Sequence, residues 1–144
     1  MNPYIEIKKI WSDDDILEFE IIFSDGQSLF TTTTYLGYST FDEAVEKLDK
    51  FKEHFYGGIC DMEFGAFGEE YANGAIHMRF HFPKPGNLYI TVKGQSDFKD
   101  FSMKKVASEC TLYIKSEAGL LDTFISELKS IQKKYSEEAK LKGI

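Results

Sequence analysis

Between residues 59 and 82, acids, imidazoles and one guanidinium recur at every second position. Asp61 and Glu63 alternate with Cys60, Met62 and Phe64, and His77, Arg79 and His81 alternate with Met78, Phe80 and Phe82. A period of two sends one set to one face of a strand and the other set to the opposite face. Centring the intervening loop near Tyr71 pairs Asp61 with His81, Glu63 with Arg79 and Gly65 with His77. Centring the next turn near Pro85 pairs His81 with Tyr89, Arg79 with Thr91 and His77 with Lys93. One polar face then carries Asp61, Glu63, His77, Arg79, His81, Tyr89 and Thr91. Three readings are open for it. It is a solvated face with cross-strand ion pairs of about 0.2–1 kcal/mol each, a small-molecule-binding surface, or an Asp–His pair for weak acid–base catalysis. A metal site is not expected. On a strand, His77 and His81 lie about 13 Å apart at about 3.3 Å per residue, too far for one ion.

The other motifs that touch chemistry are weaker. Asp13-Asp14-Asp15 suggests calcium, but a calcium loop needs glycine at its sixth position, and here that position is Glu18. A solvated turn or a protein-contact patch is the better reading. Gly65-Ala66-Phe67-Gly68 has phosphate-loop spacing, yet Glu69-Glu70 follows at once and would repel an anion. It reads as a tight glycine loop whose aromatic flanks, Phe67 and Tyr71, are candidate partner anchors. Cys60 and Cys110 lie outside any C-x-x-C pair and read as two reduced, buried thiols. Lys129, Lys133, Lys134, Lys140 and Lys142 are interspersed with Glu127, Glu137 and Glu138, the pattern of a solvated helix face. The chain has no nucleophile elbow, dinucleotide fingerprint or P-loop, so no cofactor is expected and a non-enzymatic role is favoured.

Charge supplies the clearest lead to a partner. From Ile10 to Glu46 there are nine acids and no lysine or arginine. Residues 1–78 hold sixteen acids and five bases (−11), and residues 79–144 hold eight acids and twelve bases (+4), which makes the −7 of the chain. A single arginine and a pI near 5.0 argue against nucleic acid, and an acidic surface disfavours anionic membrane while attracting a basic protein. Asp42, Glu43 and Glu46 fall in the first turns of a predicted helix, where the dipole favours them locally. The acids without such an explanation are Asp13, Asp14, Asp15, Glu18 and Glu20, and the pair Glu69 and Glu70. With Phe67 and Tyr71 they form the candidate contact set.

The elements that position these residues follow from periodicity. Tyr4–Trp11 reads as a strand. Leu17, Phe19, Ile21 and Phe23 make a second, and Asp25-Gly26 predicts a two-residue type I′ hairpin pairing Ser24 with Gln27. Thr31–Thr34 continues as a third strand. Thr40 and Glu43 have capping-box spacing, ahead of an apolar stripe at Phe41, Ala44, Val45, Leu48, Phe51 and Phe55 that ends at Gly57-Gly58. Strands are predicted at 59–66, 75–82, 88–93 and 107–116. A polar connection, 95–106, is pinned by Phe98, Phe101 and Met103. A last helix is predicted over 118–142 with Leu121, Phe124, Ile125, Leu128, Ile131 and Tyr135 inward, and 136–144 reads as a fraying end.

These elements predict a single α+β domain over 1–144, made of a βββα unit (4–56) and a ββββα unit (59–142) as a pseudo-duplication. Its two layers are one mostly antiparallel sheet of six to seven strands with both helices on one face, leaving the other face open to a ligand or to a homodimer partner. Met1-Asn2-Pro3-Tyr4 has no signal-peptide character, and no apolar run nears about 18 residues, so the cytoplasm is the expected compartment.

Trp11-Ser12-Asp13-Asp14 closing the first strand, the acidic meander, Tyr38-Ser39-Thr40-Phe41 opening a helix and Phe64-Gly65 in a later strand form a full-length pattern. It resembles small cytosolic bacterial immunity proteins of polymorphic toxin systems. That resemblance implies non-catalytic inhibition of a basic nuclease or other toxin domain through an acidic surface, and it assigns no individual residue.

Overall fold

The structure, a computed structural model, describes residues 2–53, 57–71 and 73–144. Phe55, expected in the first helical stripe, lies outside them. The strands β1 (Tyr4–Ser12), β2 (Ile16–Ser24) and β3 (Leu29–Gly37) form an antiparallel meander followed by α1 (Tyr38–Phe51). The chain continues through β4 (Ile59–Phe64), β5 (Ala75–Lys84), β6 (Asn87–Gln95), the short ribbon β7 (Lys99–Asp100) and β8 (Lys105–Val106), and β9 (Glu109–Glu117). It closes with α2 (Ala118–Gln132) and β10 (Glu138–Lys142). The fold is α+β and every strand pair is antiparallel.

The expected single sheet is two. Their orders are β10-β1-β2-β3 and β4-β5-β6-β9, with β7-β8 apart. The reason is a reciprocal exchange after each helix. The strand that follows α1 joins the second meander at β5, and the strand that follows α2 joins the first meander at β1. The third strand of each meander then passes the strand ends of the other sheet. Thr32 of β3 donates through Oγ1 to Gln95 O (2.7 Å), and Ser116 of β9 donates through Oγ to Lys142 O (2.6 Å).

The helices do not share one sheet face either. α1 packs on β3, β4 and α2, and α2 packs on β9, β10 and α1, so each bridges the two sheets. Phe41, Val45, Leu48 and Phe51 meet Leu121, Phe124, Ile125, Leu128 and Ile131 in one continuous core, with the inner faces of both sheets. The helices run antiparallel, since the start of α1 meets the end of α2 (Asp42 with Gln132) and its end meets the start (Lys52 with Asp122). Among the described residues no helix is long and apolar enough to cross a membrane.

Local departures from expectation have local causes. Asp25 keeps a negative φ and only Gly26 is positive (97°), so the type I′ turn does not form. Asp25 Oδ1 accepts from the N–H groups of Gln27 (2.9 Å) and Ser28 (2.8 Å), which builds a four-residue loop and pairs Ser24 with Leu29. The Thr40 capping box is absent because α1 starts earlier, with Gly37 as N-cap, and Tyr38 instead donates its hydroxyl to Asp13 O (2.7 Å). α2 stops at Gln132, ten residues short of expectation. Lys134 takes a left-handed φ of 63°, Tyr135 is 82% exposed rather than inward, and residues 138–142 are strand rather than a frayed end. Phe101 and Met103 are exposed and do not pin the 95–106 connection.

Asp49 ties the helices together. Its Oδ2 lies 3.0 Å from Lys129 Nζ across the α1–α2 contact, and Lys52 Nζ approaches Oδ1 at 3.1 Å as an ion pair rather than an aligned hydrogen bond. Lys129 first and Lys52 second hold the carboxyl below its usual pKa. A depressed carboxylate contributes stability above its unfolded pKa and loses it as pH falls. Asp49→Asn is therefore expected to cost about 0.5–1 kcal/mol at neutral pH, given its partial exposure, and the difference from wild type should be smaller at a pH below the unfolded carboxylate pKa of about 3.9. Urea titrations at the two pH values check this.

Candidate functional site

Glu18 and Glu20, two of the acids that sequence alone left unexplained, lie on the outer face of the first sheet. Between Lys9 and Trp11 the β1–β2 register shifts by one residue: Lys9 pairs with Phe19, but Trp11 pairs with Glu18. Without the bulge Trp11 would oppose Leu17 and point inward. The extra residue, Ile10, re-aims the strand, and Trp11 emerges 48% exposed. Across β2, Glu18 faces Tyr35 of β3. The Glu18 carboxylate beside the phenol pushes the Tyr35 pKa up, with desolvation adding to the shift. Glu18 thus stands between an exposed tryptophan and a partly exposed tyrosine in one cross-strand row.

The neighbouring acids divide into used and unused. Asp13 is consumed by its own turn, Oδ1 accepting from the N–H groups of Asp15 and Ile16 at 2.8 Å each. Asp14 and Asp15 are exposed and make no ion pair among the described residues. Glu20 sits opposite Lys8, but Lys8 pairs instead with Glu6 at 3.5 Å. Asp15, Glu18 and Glu20 therefore keep their charge available, whereas Asp14 lines a depression beside the helices with Lys9 and Lys134.

Tyr35 also joins this row to the second acidic segment. It lines a depression of about 430 Å³ with Thr34, Glu70, Tyr71 and Gly74. The loop that carries Glu69, Glu70 and Tyr71 is seated by Gly68, whose N–H donates to Gln95 Oε1 (3.1 Å), while Gln95 Nε2 donates to Glu109 Oε1 (2.7 Å). Phe67 is half-buried beneath the Lys93 ammonium, 5.1 Å from the ring centre, so it seats the loop rather than standing free as an anchor. Trp11 and Tyr35 are the residues that sequence reading missed. Tyr35 was detectable from its parity, opposite to Thr34 and Leu36. Trp11 depended on the bulge, which has no local signature.

On the second sheet the expected polar face exists, and the β5–β6 pairs His81–Tyr89, Arg79–Thr91 and His77–Lys93 form as predicted. The β4–β5 register, however, is displaced by two. Asp61 opposes Arg79, Glu63 opposes His77 and Ile59 opposes His81. A shift of two keeps every side chain on its face and changes only its neighbours. The Asp61–His81 acid–base pair is therefore not formed. Asp61 instead receives Arg79 Nε (2.8 Å) and Nη2 (3.2 Å) as a fork, with His77 Nε2 at 3.0 Å from Oδ1. Arg79 foremost, then His77, hold its carboxyl below the usual range, the opposite of what a general base requires. Glu63 is 3.9 Å from His77.

Among the described residues no three His, Cys, Asp or Glu side chains converge as a metal-ligand set. Cys60 is buried and Cys110 half-buried, neither is bridged, and burial pushes both thiols up, away from reactivity. Set beside known proteins, the chain matches no family model, no curated protein and no solved structure.

Proposed function

We propose that this chain is a non-enzymatic protein-binding module that captures a basic domain on the acidic–aromatic face of its first sheet, in the manner of an immunity-type inhibitor of a toxin or nuclease. The observation that carries the reading is Glu18 held between Trp11 and Tyr35, with Glu20 next to it on the same face of β2 and Glu70 and Tyr71 beyond Tyr35. Tryptophan and tyrosine are the residues most enriched at binding hot spots, because a large flat ring buries much area at small entropic cost. Charge around them speeds encounter with a basic partner and sets orientation more than final affinity. The loss of the Asp61–His81 pair removes the main support for catalysis.

The test separates the two contributions. A basic domain encoded beside this chain's gene, or one recovered from its native host, is measured kinetically against the wild type and two variants. Trp11→Ala is expected to raise the dissociation rate, with a loss of about 2 kcal/mol. Asp14→Lys combined with Asp15→Lys is expected to slow association and flatten its salt dependence. A complex indifferent to both variants, or the absence of any protein partner, refutes the reading.

A further inference from the structure

The outer face of the second sheet has the opposite character from the first. It carries a hollow of about 490 Å³, within the roughly 300–1,000 Å³ of small-ligand sites. Three large side chains are left out on it: Ile59 at 59% exposure, Tyr89 at 46% and Tyr113 at 72%. The basic side chains that line the hollow are Arg79, His81 and Lys115, and no carboxylate does. In a chain of net charge −7 that is a local reversal of sign. Of the acids on the same sheet face, Asp61 is engaged by the Arg79 fork and by His77, and Glu117 lies beyond Lys115 at the end of β9. The fork also fixes Arg79 while leaving its Nη1 without a described partner. Lys115 Nζ lies over the Tyr89 ring, 5.8 Å from its centre, at the margin of the hollow.

We propose that this hollow binds a planar aromatic anion, its ring lying on Tyr89 and Tyr113 against Ile59 and its carboxylate or sulfonate paired with Lys115 and Arg79. Flat apolar walls with cations at the margin match a ligand that is apolar over its face and negative at one end. Two aromatic faces favour a ring over an alkyl chain, and the guanidinium favours a forked oxyanion over a single charged atom. A second copy of this chain is a poorer occupant, because two copies of the same hollow set face to face leave each other unfilled. The site lies on a different sheet from the proposed protein-binding face, and neither depends on the other.

The probe is anilinonaphthalenesulfonate, titrated into the full-length chain by fluorescence, with neutral phenylnaphthylamine as its uncharged counterpart. One saturable site is expected for the anion, with the neutral compound at least about tenfold weaker. Lys115→Glu and Tyr113→Ala should each weaken the anion by about tenfold or more at unchanged melting temperature. Lys115→Gln replaces the charge reversal if that perturbs the fold, with a smaller loss expected. Equal binding of both probes would mean an apolar patch without a cation site. Affinity indifferent to the substitutions would place the probe elsewhere. A dimer in light scattering that Tyr113→Ala splits would give the face to a second copy. Each of these three results overturns the proposal.

Discussion

Replacing Leu141 with Ala is expected to destabilise the protein by about 2–5 kcal/mol, the range for deleting a buried leucine side chain down to its Cβ. Leu141 is fully buried and sits opposite Ile5 in the β10–β1 ladder, with Ala139 opposite Ile7 two residues earlier. Its contacts come from the first sheet and from α2, which packs closely on β10, so the void has no mobile neighbour to fill it. The loss reaches further than one side chain. β10 is what gives β1 a second hydrogen-bonded neighbour, and without it β1 becomes a bare edge carrying Ile5 and Ile7. Lys142→Ala on the exposed face of the same strand should stay within about 0.5 kcal/mol. Urea unfolding of the pair decides the matter, because a fraying end would leave both variants at wild-type stability.

That contrast also marks where sequence reasoning stopped. Glu138-Ala139-Lys140-Leu141-Lys142 contains good helix formers directly after a long apolar helical stripe, and two apolar residues at period two are too few to outvote them. The strand exists because β1 offers it a ladder, and a partner over a hundred residues away has no trace in the local pattern. The same limit hid the two-sheet arrangement. The positions of β1 to β6 and β9, the inward faces of β2, β4 and β5, and the stripes Phe41–Val45–Leu48 and Leu121–Phe124–Ile125–Leu128 were legible, since burial repeats along each of these elements. Which edge β4 and β10 would join was not, because either sheet buries the same side chains. For the candidate site the outcome is similar. Period two placed Asp61, His77, Arg79 and His81 on one outer face correctly, but register, which is set by loop length, chose Asp61's partner. The bulge at Ile10 then brought Trp11 to Glu18, and no composition or spacing argument reaches that.

Gly74→Ala is expected to cost about 1–3 kcal/mol, as an overpacking change that the surroundings cannot absorb. A Cβ at this position would lie 2.2 Å from Thr32 Oγ1, 2.4 Å from Thr33 O and 2.9 Å from Gln95 O. Two of those three atoms are backbone oxygens, fixed in β3 and at the end of β6. The third is the hydroxyl that donates to Gln95 O where β3 passes the second sheet. Relief therefore requires β3 and the β4–β5 loop to separate, which breaks one of the two places where the sheets are closed against each other. Gly119→Ala is the matched control. It sits in α2 with nothing within 4 Å of its new methyl, so it should stabilise by up to about 1 kcal/mol through helix propensity. Thermal melts of the two variants should thus move in opposite directions. The same geometry couples stability to binding. Gly74 lines the depression with Tyr35, Glu70 and Tyr71, so moving the loop off β3 also pulls Glu70 away from the Glu18–Tyr35 row. If the first-sheet face is the contact surface, Gly74→Ala weakens the basic partner at temperatures where the protein is still folded, whereas Gly119→Ala leaves affinity unchanged.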